Sequence, residues 1–322
     1  ISPAENITNL LAQSSGQSWE TASTWSDGLP ASVSAASKPG SAYYSPANTS
    51  LRTPAGAANS TFPGNTLEFQ GNGVFTTTIP GSGSSALIMK TSNGGIVNFP
   101  KLIMNGGQIF NYVDSGGNTV LGGEIEIRAN TPVFAADDTS ARSIRIQAKL
   151  TGSGTIEYRA YSGSTFNPAT VSSLNISNEA NTFNGTWNVV LGTLVGSSPG
   201  ALGTNTITVG AQGALQTTYP IMNPDGDLIL NGRLNLTRDH TFKNVTVNGN
   251  ALNPGTYTWA ELNALYPANF PASWTGQPGA QSETTAAGSL TVIGSGIVTP
   301  VPLTNTWNGN TMTLSWPNGW VL

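Results

Sequence analysis

The side chains best able to do chemistry lie in one alternating stretch. Glu124, Glu126 and Arg128 occupy every second position, so in a strand they share one face while Ile125 and Ile127 share the other. Ser143, Arg145, Gln147 and Lys149 repeat the pattern about 21 residues later, with Ile144, Ile146 and Leu150 facing inward, and Glu157 and Arg159 extend it. If these segments stack as neighbouring coils, Glu124 lies near Arg145. Carboxylates beside an arginine suit two tasks, gripping an acidic glycan or β-elimination from one, with Glu124, Arg145 and Glu157 as working groups. The plainer expectation is a solvated face of cross-strand ion pairs, each contributing little.

Other candidates are sparser. Asp225 and Asp227 flank Gly226, and Asp137 adjoins Asp138. Oxygen ligands in turns suit Ca²⁺, but neither pair sits in an EF-hand loop, and aspartate is a routine turn former. The expectation is therefore no cofactor, with Asp225 and Asp227 as the alternative, a Ca²⁺ pair. No cysteine is present and only one histidine, which excludes thiol nucleophiles, thiolate metal sites, disulfides and any site needing two imidazoles. His240 adjoins Arg238 and Asp239, and adjacency alone makes no triad. It reads as a surface turn residue. Tyr43-Tyr44 and the C-terminal tryptophans could stack on sugars, although packing over a core end suits them better.

The elements that must carry these residues follow from composition. The chain has 322 residues, 38 glycines, 9% charged residues and a net charge of −4. An average domain carries about 25% charged residues and about 7% glycine. Helical bundles need the charged helix formers that are missing here, and a disordered chain would hold fewer Ile, Leu and Val. Twelve basic residues give no basic face for nucleic acid. No apolar run is long enough for a transmembrane helix.

From Thr66 onward, short alternating runs recur between Gly, Asn and Asp, which is the signature of strands and turns. Equivalent apolar positions such as Leu67, Ile88, Ile103, Ile125 and Ile146 return after roughly 15 to 22 residues, the range of one solenoid coil. Asn105-Gly106-Gly107, Leu121-Gly122-Gly123 and Asn231-Gly232 suit corners with positive φ. Residues 1–65 read as an irregular N-terminal cap with one short helix over Glu5–Gln13, and Trp19 and Trp25 packing over a core end. Residues 66–296 read as the solenoid body with a helix-containing C-terminal cap, in which Thr258 and Glu261 form a capping box. Residues 297–322 read as a Pro-stiffened linker and a terminal strand. Thr311, Leu314, Trp316, Trp320 and Leu322 would form its assembly surface.

Within the body, Asn181-Thr-Phe-Asn-Gly185-Thr-Trp187, Gly192-Thr-Leu-Val-Gly196 and Ile207-Thr-Val-Gly-Ala-Gln-Gly213-Ala-Leu215 resemble a passenger-associated β-strand repeat. Such repeats occur in secreted autotransporter-like bacterial proteins. The match covers about 35 residues, and it implies a right-handed parallel β-helix with a secreted or cell-surface role. Together these readings predict an all-β, right-handed parallel β-solenoid with an irregular N-terminal cap and a C-terminal cap holding one short helix. The expected function is extracellular, structural or adhesive, and non-enzymatic, with self-assembly into fibres through terminal segments. The partner would be a second copy or an extracellular glycan. The competing expectation is a carbohydrate-active protein on the same scaffold, a lyase, hydrolase or glycan-binding module.

Overall fold

The computed structural model describes residues 2–11, 17–74, 83–112, 117–135, 142–160, 172–273, 287–294, 304–308 and 311–315, the last two stretches as backbone. A strand of three to five residues buries only one or two side chains, so it needs neighbours above and below. The chain meets this need by laying successive segments parallel to one another, and twenty-one strands join into one sheet. The fold is an all-β parallel β-solenoid, as the alternation predicts.

Three runs of parallel pairs line the core. In the first, Ile7, Tyr43, Leu67, Leu102, Ile125 and Leu150 stack rung on rung. The second carries Leu51, Leu87, Ile109 and Val133, then continues through Tyr158, Val189, Val209, Leu230 and Val247. The third stacks Ile144, Leu174, Leu194, Leu215 and Leu234. All of these side chains are buried, and each large one contributes about 1.5–3 kcal/mol by leaving water.

Register corrects part of the sequence expectation. Leu67 stacks on Leu102, not Ile88, while Ile103 lies between Glu68 and Glu126 on the outer side. Ile88 faces outward too, paired with Phe110, whose ring stacks 4.3 Å from that of Phe134. A shift of one residue turns a strand's side chains to the opposite face, and a spacing count does not resolve that step. The partners Leu67, Leu102, Ile125 and Leu150 lie 35, 23 and 25 residues apart. Trp187, Ile207, Leu228 and Val245 lie 20, 21 and 17 apart. The expected coil length therefore holds for the later coils and for Leu87 on Ile109, 22 residues apart, but not for the other early ones.

Corners need glycine where the backbone turns into a neighbour. Gly123 has φ +87°, and a Cβ there would lie 1.8 Å from the Phe99 carbonyl oxygen. The strand Thr119–Ile127 bends at this residue, passing from the third run to the first with a bulge before Ile125.

Both ends of the solenoid are closed. The expected helix over Glu5–Gln13 is absent, because Asn6–Thr8 is already a strand paired in parallel with Ala42–Ser45. Parallel pairing thus starts well before Thr66. The free edge of that first strand is covered by residues 24–26 running antiparallel, with Leu10 N–H donating to Thr24 O and Ser26 N–H to Thr8 O. Trp19 and Trp25 are buried edge-on against Phe62 and Tyr43 respectively, sealing this end as expected. At the other end Asn250–Ala251 folds back antiparallel on Val245–Val247, and Gly255–Thr258 pairs antiparallel with Ser289–Val292. The helix Trp259–Leu265 starts at the expected capping box of Thr258 and Glu261 and buries Leu262. Beyond the cap, Thr304–Asn308 and Thr311–Ser315 form an antiparallel hairpin that is a sheet of its own. Of the expected assembly residues, Thr311 and Leu314 lie in that hairpin, while Trp316, Trp320 and Leu322 lie outside the described residues.

Candidate functional site

The structure does not gather Glu124, Arg145 and Glu157. Glu124 belongs to the first run, where its register partner is Lys149. Arg145 belongs to the third, between Val120 and Asn175. Glu157 belongs to the second, between Pro132 and Asn188, with its Oε1 3.0 Å from Arg159 Nε. The expected neighbourhood of Glu124 and Arg145 fails because the chain turns a corner between Val120 and Glu124. Two separate polar surfaces result.

The first is an ionic ladder. Arg128 holds both oxygens of Glu126, at 2.7 Å from Nε and 3.2 Å from Nη2. Lys101 Nζ lies 2.8 Å from Glu126 and 3.4 Å from Glu124. Arg128 also approaches Glu68 at 3.7 Å, and Glu68 accepts from Gln70 Nε2 and Asn105 Nδ2. The hydrogen bonds from Arg128, then from Lys101, hold the Glu126 carboxyl down at about 2. A general acid needs a proton near neutral pH and hence a raised pKa. Glu126 is held in the opposite state. Each charge in this ladder already has a partner, so its chemistry is structural.

The second surface is a groove of about 280 Å³ across the third run, lined by Arg145, Gln147, Asn175, Ser177, Val195, Ser197 and Thr218. Arg145, Asn175 and Val195 stack in register. Beside them, the N–H groups of Gln147, Ser177, Ser197 and Thr218 extend the ladder by donating to the preceding coil. Part of the wall is fixed internally: Ser197 Oγ donates to Asn175 Oδ1 at 2.9 Å, and Thr218 Oγ1 donates to the Ser197 carbonyl at 3.0 Å. Among the described residues, the side chains of Arg145, Gln147 and Ser177 have no hydrogen-bond or ion-pair partner. Arg145 and Gln147 are exposed. This face therefore offers one unneutralised cation among uncharged donors and acceptors.

The remaining candidates fall elsewhere. Asp227 Oδ1 accepts from Asn244 Nδ2 at 2.8 Å, and Asp225 is exposed. No group of three or more His, Cys, Asp or Glu side chains able to hold a metal occurs among the described residues. Asp137 and Asp138 lie outside the described residues.

His240 is not a surface turn residue. It is a buried strand residue whose Nδ1 accepts from Ile221 N–H at 3.0 Å, while Nε2 has no partner. Burial pushes its pKa down to about 4. The alternation His240, Thr241, Phe242, with Thr241 partly exposed between two buried residues, was the signal for this placement. Gly196-Ser197-Ser198-Pro199-Gly200 has the spacing of a nucleophile elbow, yet it leads into another turn instead of a helix, and His240 is committed to Ile221. Tyr43 is unavailable for sugar stacking because it is buried against Trp25 and Phe62.

Compared with known proteins, the chain matches no family model, no curated protein and no solved structure.

Proposed function

We propose that this chain is an extracellular, non-enzymatic structural or adhesive protein whose mechanism is geometric: a stiff body that presents a polar, charge-poor surface. The observation that carries this reading is the continuous parallel sheet closed by antiparallel segments at both ends. Such a body is self-contained along its length, and the ionic groups around Glu126 are spent on one another. The resemblance of residues 181–215 to passenger repeats supports export to the cell surface or beyond.

The same reading includes self-assembly. A two-stranded sheet alone is marginal in water, and unpaired strand edges invite pairing with another chain. The hairpin Thr304–Ser315 pairs with no other described strand, and low net charge weakens repulsion between copies. The capped solenoid ends leave this hairpin as the joining element, pairing with the hairpin of a second copy. Negative-stain electron microscopy of the full chain over a concentration series tests the proposal, alongside a chain lacking residues 300–322. Fibres from the full chain and dispersed rods from the truncated one are expected. Fibres of unchanged length after truncation, or dispersed rods from both chains at every concentration, would refute hairpin-driven assembly.

A further inference from the structure

We infer that the Arg145 groove binds an acidic saccharide, taking one sugar carboxylate on the guanidinium and the neighbouring hydroxyls on Gln147 and Ser177. The inference rests on the adhesive part of the proposed function and is independent of assembly. Three observations carry it. Among the described residues, Arg145 is the one ionisable side chain in the groove lining and has no partner, in contrast to the fully paired cations of the ionic ladder. A guanidinium is planar, always charged and shaped to take a carboxylate with two parallel hydrogen bonds. Its neighbours are amides and hydroxyls, with Val195 at the buried floor. That combination suits a ligand with one negative charge, several hydroxyls and a small apolar C–H face.

The rung geometry adds positional definition. Arg145 and Gln147 lie two residues apart on one rung, and Ser177 and Ser197 continue the second column at about 4.8 Å per rung. Because Ser197 is already bound to Asn175 and the Ile176 carbonyl, the wall is set before a ligand arrives, which lowers the cost of ordering it. Among the described residues, the lining holds no carboxylate or imidazole to take or give a proton, so the site is read as one that retains its ligand.

The test is isothermal titration calorimetry of the full chain with galacturonate oligomers, glucuronate-containing oligomers and sialyllactose. The methyl esters of the uronates, lactose and inorganic sulfate serve as comparisons. At least one acidic sugar should bind, and its neutral counterpart should bind at least about tenfold more weakly, as expected for loss of a charge-assisted pair. Arg145→Ala should lose about tenfold or more, Arg145→Lys less, and Ser177→Ala a smaller factor. Arg128→Ala on the ionic ladder should bind as the parent does. No binding by any acidic sugar, equal binding of acid and ester, or unchanged affinity in Arg145→Ala would each overturn the assignment. Sulfate competing as well as the sugar would reduce the site to a general anion site and overturn the saccharide assignment. Fibre formation unaltered in Arg145→Ala would separate this result from the assembly proposal.

Discussion

The ionic ladder around Glu126 and the groove around Arg145 are written in the same sequence pattern, charged and apolar residues in alternation, and they differ in electrostatic state. On the ladder, Lys101, Glu124, Glu126, Arg128 and Glu68 come from successive coils that place opposite charges side by side. In the groove, the coils above and below Arg145 present Val120 and Asn175. A charge on a solenoid is thus defined by its neighbours one rung away, which come from a different part of the sequence. Pairing consumes the first set for the fold. Isolation leaves the second available for recognition.

Several substitutions test that contrast, and the largest effect should come from the residue between the charges. Ile125 points into the core from the strand that carries Glu124 and Glu126. Ile125→Ala should lower unfolding stability by about 2–5 kcal/mol, far beyond the loss from removing any ladder charge. Chemical denaturation would decide it, and a larger loss from a ladder charge would mean that the ions hold this strand. Next comes Gly123→Ala, which forces a Cβ against the Phe99 carbonyl at positive φ. A loss of about 1–3 kcal/mol is expected from that strain, and a melting temperature equal to the parent's would show that the corner is not constrained.

Acid should act in two windows, and neither involves the groove. His240 is neutral in the fold with its pKa lowered from 6.5 to about 4. The unfolded chain therefore takes up a proton that the folded chain refuses, and stability falls as pH drops from about 6.5 towards 4. Glu126 is lowered from 4.5 to about 2, so its contribution is present above 4.5 and lost as pH falls towards 2. Denaturation at stepped pH checks both. His240→Gln should flatten the upper window and Glu126→Gln the lower one. A Glu126→Gln profile identical to the parent's below pH 4.5 would mean the ladder adds nothing to folding. The smallest effect is expected for Arg145→Ala, which should change stability by no more than about 0.5 kcal/mol, since an exposed side chain without partners among the described residues holds none of them in place. A clear destabilisation would reveal a structural role and remove the contrast between the two faces.

Much of the architecture was legible in the chain. Low charge, abundant glycine and short alternating runs identified an all-β solenoid, and Thr258 with Glu261 marked its C-terminal helix, while the helix Ala31–Ser37 was not foreseen. Trp19 and Trp25 were readable as a cap because large apolar residues in loop-like sequence need a core end to cover. The first strands were not readable. Asn6–Thr8 and Ala42–Ser45 are stable only as rungs on Thr66–Gln70, and their own residues have no strong strand pattern. The candidate site was legible residue by residue, since Arg145 and Glu126 were both expected to face solvent. Their separation was not, because it depends on the bend at Gly123.

The sequence by itself determined that side chains alternate between two faces along each short strand, because alternation is a local property with period two, although at Ile88 and Ile103 it did not fix which face met the core. It also determined where the chain must turn, through glycine, asparagine and proline. Only the tertiary structure decided which outward side chains became neighbours. Coils of 17 to 37 residues bring together positions that no local rule connects, and a slip of one residue in any corner would exchange the partners. For that reason five charged residues pair with one another on one face, while Arg145 on another has no charged partner among the described residues.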